Sequence, residues 1–322
     1  MTKYLFYPGC AMDASASAYN DSLMAIKDSL DIELEEIQDW NCCGATEYLS
    51  ISRTPAYSLI GRNLALASKQ ANGTKTVVAS CSACFLNLTK ADHHMAEGKL
   101  GANVNDALSA GGLHYDPGTL TIRHLLDIII NDIGLDVIKE KAIKPLKGLR
   151  VAPYLGCMVP RPDYNNQYSS HEYPTELDDV LKALGAEVID FPLKTHCCGG
   201  HMTQISPNMA FELIRRLLSA AEQYKADVMV TVCPMCQMNL DAYQNETNRH
   251  FKTDYKMPIL FFTQLMGLAF GKELKEIGIG KELVDSNKAL SQIGKDVQEE
   301  KAKKTRLQKG ELPMPTMPSE QK

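Results

Sequence analysis

The sequence predicts an α/β protein built from two pseudo-symmetric repeats. Each repeat is a small, mainly parallel sheet flanked by helices, with cysteines at the C-terminal ends of the strands. Three observations carry this. Ten cysteines fall into two sets of five: Cys10, Cys42, Cys43, Cys81 and Cys84, then Cys157, Cys197, Cys198, Cys233 and Cys236. Each set is a lone cysteine, an adjacent pair and a Cys-x-x-Cys, and no cysteine lies outside the pattern. The flanks repeat as well: Tyr7-Pro8-Gly9-Cys10 answers Tyr154-Leu155-Gly156-Cys157, and Asn41-Cys42-Cys43-Gly44 answers His196-Cys197-Cys198-Gly199. Finally, each half reads strand–helix–strand–helix–strand. Self-similarity of this length marks an internal duplication, and two copies are too few for a solenoid. Two like domains facing one another follow.

The elements can be taken in order. Lys3 to Tyr7 is a first strand ending at Gly9-Cys10, and Ala11 to Leu30 has helical spacing. Leu34 to Ile37 is a second strand, running toward Cys42-Cys43. Thr46 to Ala71 reads as one long helix stopped by Asn72-Gly73. Thr76 to Ala79 is β-branched and apolar, the signature of a strand buried on both faces, and a helix starts within Cys81-x-x-Cys84. Residues Gly98 to Gly118 read as a loop, Leu120 to Ile133 as a helix, and Lys141 to Gly148 as a linker.

The second half repeats the plan. Strands are expected at Val151 to Leu155, Val188 to Phe191 and Val228 to Val232. Helices are expected at Glu176 to Leu184, Asn208 to Tyr224, Met238 to Tyr243 and Thr263 to Phe270. Pro160 to Pro174 is irregular and is a candidate pocket wall. A length of 322 residues suits about two domains at roughly 150 residues each. The boundaries drawn are 1–145, 146–271 and a charged C-terminal tail, 272–322, read as helix and then disorder.

At 44% apolar and 23% charged, each half can bury a real core, and a net charge of −5 gives no reason to expect nucleic acid. The N-terminus lacks an apolar signal core. No stretch reaches the ~18–20 apolar residues of a spanning helix. A cytoplasmic protein is expected. Thiols stay reduced there, so ten cysteines suggest metal rather than disulfides.

Thiolates select zinc, copper(I) or iron–sulfur clusters. Five per half is one too many for a zinc site or an ordinary four-cysteine cubane. Side chains of adjacent cysteines diverge, so a pair reaches two metal atoms more readily than one. The count favours a larger or non-standard iron–sulfur cluster in each half. Two zinc sites with a spare thiol each, or buried structural cysteines, are the competing readings.

The order lone Cys, Cys-Cys-Gly, Cys-x-x-Cys, given twice, resembles the "CCG" cysteine-rich domain. Two copies in one chain resemble the B-type subunit of heterodisulfide reductase, over roughly Met1 to Gly271. The 37 and 34 residues between each adjacent pair and its Cys-x-x-Cys read as a loop-length difference from the family. The resemblance implies that each five-cysteine set holds a non-cubane [4Fe-4S] cluster, and that both clusters face one pocket where a disulfide is cleaved. It also implies partners: a ferredoxin-like (C-type) subunit that delivers electrons singly, and a flavin/iron–sulfur (A-type) subunit behind it. The chain has no Cys-x-x-Cys-x-x-Cys run, so it cannot supply ferredoxin cubanes itself.

Other residues are secondary candidates. His196 and His201 bracket the second Cys-Cys, with Lys194 and Arg161 near in sequence; they could fix an anionic group or donate a proton. Gly9, Gly44, Gly156 and Gly199 are candidates for close backbone approach to the cofactor. His93-His94 reads as surface. The alternative function is a non-catalytic iron–sulfur electron-transfer subunit, as in lactate, glycolate or succinate oxidation systems. The substrate disulfide, coenzyme M–coenzyme B or another, is not written in the sequence.

Overall fold

The computed structural model describes residues 1–45, 48–161, 164 and 168–295. The first half forms a parallel sheet of β1 (Thr2–Tyr7), β2 (Ile32–Glu36), β3 (Thr76–Ala79) and β4 (Thr121–His124), in the order β2-β1-β3-β4. The second half repeats it with β5 (Arg150–Tyr154), β6 (Glu187–Val188), β7 (Val228–Thr231) and β8 (Ile259–Phe261), in the order β6-β5-β7-β8. The inner strands are apolar along nearly all of their buried length, Thr231 at the end of β7 excepted, as parallel strands covered on both faces tend to be.

Each sheet has a fourth strand that periodicity did not show. Leu120 to Ile133, expected as one helix, opens with β4 and only then turns helical over Leu125–Ile128 and Ile129–Ile133. Thr121 and Ile122 pair with Thr76 and Val77 of β3. His124 then closes the strand, its Nδ1 accepting the Leu126 amide at 3.2 Å. Ladder pairing between distant segments overrides a local helical pattern here. Conversely, the expected loop 98–118 contains the helix Gly98–Ser109, whose Val104 and Leu108 are buried one turn apart. Its Gly101 lies against the Met95 backbone, where a Cβ has no room. The long helix expected from Thr46 breaks into Tyr48–Ile51 and Arg53–Gln70 at an extended Ser52; Thr46 and Glu47 lie outside the described residues. In the second half, Gln244–Phe251 is a further helix that was not expected.

The halves share their core. One buried cluster contains Leu5 and Val77 with Ala152 and Met229; another contains Phe6 and Val78 with Val151 and Val230. Helix Ser17–Lys27 of the first half packs on helix Phe262–Ala269 of the second. Tyr19 stacks on Phe261 at 4.4 Å between centroids, and the Ser22 and Thr263 hydroxyls lie 2.7 Å apart.

Residues 272–295, expected to form a solvated charged helix, are a strap instead. Only Asn287–Leu290 is helical. Turns at Gly278 and Gly280, both at positive φ, interrupt the rest. Ile277 is buried against Gly267, and the Asp241 carboxylate accepts the Leu283 and Val284 amides at 2.8 and 3.0 Å. The strap also reaches the first half and the linker: Lys281 Nζ lies 2.5 Å from Asp21 Oδ2, and the Gly294 amide donates to the Lys147 carbonyl at 2.7 Å. The Pro-rich segment expected to be disordered falls outside the described residues. Among the described residues, no helix is long and apolar enough to cross a membrane.

Candidate metal centre

The strand order decides where the cysteines meet. From β1 the chain crosses to β2 on one side and to β3 on the other, which opens a crevice at the C-terminal edge. Cys10 follows β1, Cys42-Cys43 follows β2 and Cys81 follows β3, so three separate segments deliver thiols to one edge. Cys81 caps the N-terminus of helix Ser82–Met95, with Cys84 in its first turn; Cys233 and Cys236 do the same on helix Pro234–Ala242. The positive end of a helix favours thiolate.

The sulfurs are strung out in close pairs. Cys10 and Cys42 lie 3.5 Å apart, Cys43 and Cys84 3.3 Å, and Cys198 and Cys236 3.5 Å. Cys157 and Cys197 lie near enough for each to shift the other's proton affinity. Across the pseudo-twofold, the Tyr19 hydroxyl donates to the carbonyls of Ser80 and Val232, at 3.1 and 3.4 Å, which brings the residues before Cys81 and Cys233 together. Both sets therefore belong to one constellation. Protons are shared unevenly within it. Hydrogen bonds from Cys42 and then Cys84 pull Cys43 down to about 4, while Cys42, bonded to Cys43, is pushed up. Cys157 draws Cys197 down to about 6, and Cys236 and Cys81 draw Cys233 well below a normal thiol.

A matched scaffold holds each set. Tyr7 donates to the Asn41 carbonyl and Tyr154 to the His196 carbonyl, both at 2.6 Å, fixing the loop before each Cys-Cys. Asn87 donates to the Cys43 carbonyl at 3.0 Å and Asn239 to the Cys198 carbonyl at 3.3 Å. Sequence reasoning assigned these four residues no role, although the signal was present: each pair stands at matching places in the repeat.

Gly9 and Gly156 have φ of +75° and +71°, and a Cβ there would lie 2.8 Å from Cys84 Sγ and 3.0 Å from Cys236 Sγ. Only glycine permits both the conformation and the approach. Gly44 and Gly199 face elsewhere: a Cβ would meet Leu59 or Ala210 rather than a cysteine.

The secondary candidates separate in the structure. A cavity of ≈330 Å³ is lined by all five cysteines of the first set and, from the other half, by Gly200, His201, Thr203, Gln204, Pro234, Met235, Met238 and Tyr243. His201 is thus at the site. His196 is exposed and does not line the cavity. Arg161 donates to the Thr195 carbonyl at 2.9 Å and to Glu172 at 3.2 Å. Lys194 is fully buried, 2.6 Å from Asp178 and 4.1 Å from the centre of the Tyr173 ring. Its carbonyl accepts the amides of Leu155 and Gly156, so it fixes the turn that presents Cys157. No described residue of the irregular 160–174 segment lines this cavity. A larger hollow of ≈690 Å³ lies along the strap and contains no cysteine. His93, His94 and Glu97 bring their ligand atoms within 4.8 Å of one another at the far end of helix Ser82–Met95.

Five convergent thiols per half are a soft-ligand set, and the glycine cradles leave room beside the sulfurs. Among the described residues, the sulfurs are not gathered three at a time within 4.8 Å, as a single tetrahedral ion would hold them. The arrangement fits a multi-metal sulfide cluster held by the several cysteine segments of each half.

Facing α/β units with five thiols apiece at their strand ends define a twin cysteine-rich, metal-binding redox protein. The comparisons with known proteins place it further. The CCG family profile, described as "Cysteine-rich domain", matches residues 4–89 and 151–241. The chain belongs to this family, among proteins of the kind that form the B-type subunit of heterodisulfide reductase. It is 33% identical to the 8-methylmenaquinol:fumarate reductase membrane anchor subunit of Wolinella succinogenes, over 89% of this chain and 98% of that protein. It is 27% identical to the B-type subunit of the ferredoxin:CoB-CoM heterodisulfide reductase of Methanosarcina mazei, over 91% and 97%. It is also 27% identical to a protein of Archaeoglobus profundus described as like that same heterodisulfide reductase subunit, over 86% and 93%. A crystal structure of a hypothetical protein from Helicobacter pylori shares the fold, with a TM-score of 0.68 at 14% identity; the match covers 88% of this chain and 52% of that one. The cysteine-rich domains and these relatives point to iron–sulfur clusters in an oxidoreductase-type subunit.

Proposed function

We propose that the chain is the catalytic subunit of a heterodisulfide reductase-type complex, which reductively cleaves or oxidatively forms a disulfide between two non-cubane [4Fe-4S] clusters. One cluster would be held by Cys10, Cys42, Cys43, Cys81 and Cys84, the other by Cys157, Cys197, Cys198, Cys233 and Cys236. The observation that carries the reading is the junction of the two sets, where one hydroxyl, that of Tyr19, bridges the residues before Cys81 and Cys233, beside a cavity walled by one set and the opposite half. Cleaving one S–S bond consumes two electrons and two protons and yields two thiols. When bound, the clusters supply the electrons one at a time and a Lewis-acidic metal for each developing thiolate. The chain's own residues confine the substrate: Met235, Met238 and Tyr243 exclude water, and His201 offers a hydrogen bond or a proton.

A ferredoxin-like subunit and a flavin/iron–sulfur subunit of the same complex would deliver the electrons, in the cytoplasm. Protein made anaerobically should carry about eight iron and about eight sulfide per chain and turn over disulfides with a reduced viologen. Zinc at about two per chain without sulfide would refute the cluster reading.

A second reading has its own support. Apolar side chains make up most of the cavity wall, and the Wolinella relative is named for a quinol:fumarate reductase. On this reading the chain passes electrons from a lipophilic quinol and leaves the chemistry to partner subunits. Quinol oxidation by iron-replete protein that is inert toward disulfides would select it.

A further inference from the structure

Away from the cysteine edge, His93, His94 and Glu97 bring one donor atom each within 4.8 Å of one another. Their place is a corner of the chain. Helix Ser82–Met95 ends there, the Glu97 amide donates to the His94 carbonyl at 3.1 Å, and Glu97 precedes the first residue of helix Gly98–Ser109. The turn folds the Glu97 carboxylate back onto His94, where it meets Nδ1. Adjacent positions on a helix point about 100° apart, so the two imidazoles converge only because neighbours hold them. Tyr164 packs on the His93 ring at 4.8 Å between centroids, and Tyr57 on the His94 ring at 5.5 Å. The two histidine rings themselves meet edge to face at 5.2 Å. The sequence hides this group because paired ligands on one helix face stand four residues apart, and here the third ligand comes from past the helix end.

A cavity of ≈390 Å³ lies against the group, lined by Asp92, His93, Ala96, Glu97, Pro117 and Gly118. Asp92 puts a second carboxylate on that wall, with Oδ1 accepting from the Tyr115 hydroxyl and the Gly118 amide. The His94 contact, and the Arg53 guanidinium 3.6 Å away, account for the Glu97 carboxylate. They do not account for a second imidazole brought beside it. In a tetrahedral site with bonds of about 2.0–2.1 Å, donor atoms stand about 3.3 Å apart. Side-chain rotations at this corner can close the group to that spacing, and the cavity leaves room for water as a fourth ligand.

We propose that His93, His94 and Glu97 form a metal site of a second kind, for a divalent ion of the zinc type, separate from the thiols. Imidazole with carboxylate suits zinc, nickel or copper(II), whereas calcium and magnesium take oxygen alone. Cys84 lies ten residues earlier on the same helix, about 15 Å away at 1.5 Å per residue, so the two sites cannot share an ion. A metal here clamps the corner between two helices of the first half. Through Tyr164 it also ties that corner to the segment following Cys157 in the second half. The inference does not depend on what the cysteines hold.

The test is zinc binding by the anaerobically purified full chain in equilibrium dialysis, beside the same protein carrying His93→Ala, His94→Ala or Glu97→Gln. The cysteines are common to all of them, so whatever they bind cancels in the comparison. The wild type should hold about one more zinc per chain than either histidine variant. Glu97→Gln should weaken that extra ion about tenfold or more. Iron and sulfide should be the same throughout. X-ray absorption at the zinc edge should show nitrogen or oxygen neighbours at about 2.0–2.1 Å in the wild type that vanish in His93→Ala. His93 is exposed, so this variant should keep its fold, which circular dichroism checks. Equal zinc in the wild type and the histidine variants, or an extra zinc with sulfur neighbours alone, overturns the proposal. Absence of iron and sulfide would overturn the cluster reading and leave this comparison intact.

Discussion

The two halves hold their cysteines with the same parts and support those parts by different means. Tyr7 and Tyr154, Asn87 and Asn239, and Gly9 and Gly156 make matching contacts around matching thiols. Beneath them the halves diverge. The residue three before the first half's Cys-Cys is Asp39, in an exposed ion pair with Arg62. At the same place the second half has Lys194, buried against Asp178. The cavity also opens on the first set and not on the second. What the halves share is what a five-thiol site demands of any backbone. What they do not share shapes two unequal sites out of one ancestral unit.

The comparison can be broken most severely at the thiols. Cys84→Ala and Cys236→Ala should each abolish disulfide turnover, although they lie in different repeats. If one S–S bond needs both clusters, residues acting as a unit are non-additive, and the double variant should be little worse than either single one. Each single variant should keep about half the iron. Turnover near the wild-type rate with one half emptied and the fold intact would sink the shared mechanism.

Lys194→Met removes a buried support that the first half does not have. Removing one partner of a buried pair costs about 3–5 kcal/mol, measurable by urea unfolding. The sign with pH follows from Asp178, whose pKa burial already raises. Without Lys194 its folded pKa rises further above the unfolded value. The variant should be least impaired at low pH, where Asp178 is protonated in both states, and should lose stability as pH rises from the unfolded pKa toward the folded one.

Gly9→Ala and Gly156→Ala should act alike, each lowering stability by about 1–3 kcal/mol through the strained conformation and reducing iron in its own half. Iron analysis of the pair checks whether the cradles are equivalent. The smallest effect belongs to Arg62→Met. The surface ion pair of Arg62 with Asp39 contributes about 0–1 kcal/mol, and its hydrogen bonds to the Asp39 carbonyl and Asn41 Oδ1 add about 1 kcal/mol, so urea unfolding should register less than for Lys194→Met.

The cysteines, their grouping and their place at strand ends were legible because a duplicated sequence prints its constraints twice. The strands β1, β3, β5 and β7 were legible for a local reason: runs such as Thr76-Val77-Val78-Ala79 are apolar on both faces. The outer strands β4 and β8 were not, since three or four residues carry no period of their own and become strands only by pairing with a distant neighbour. The strap was read as a solvated helix because its composition is charged; only the fold shows Ile277 and the Asp241 acceptor that seat it. Lys194 looked like an anion-binding residue from its nearness to Cys197, but burial and Asp178 engage its charge. Asn87 and Asn239 were visible as a repeated letter, and their role emerged only with the Cys43 and Cys198 carbonyls beside them.

The seam between helices Ser17–Lys27 and Phe262–Ala269 bears on how the protein is made. Ser22 and Thr263 are 241 residues apart in the chain, and Tyr19 needs Phe261 as its stacking partner. A ribosome adding about 5–20 residues per second needs on the order of ten to fifty seconds to cover that distance. Through that interval the nascent first half has its cysteines but lacks the surface that covers Tyr19. An unfinished chain with exposed apolar surface is prone to aggregate, which is the circumstance in which chaperones act. Joining two like units in one polypeptide thus makes a segment synthesised late a requirement for completing the first half.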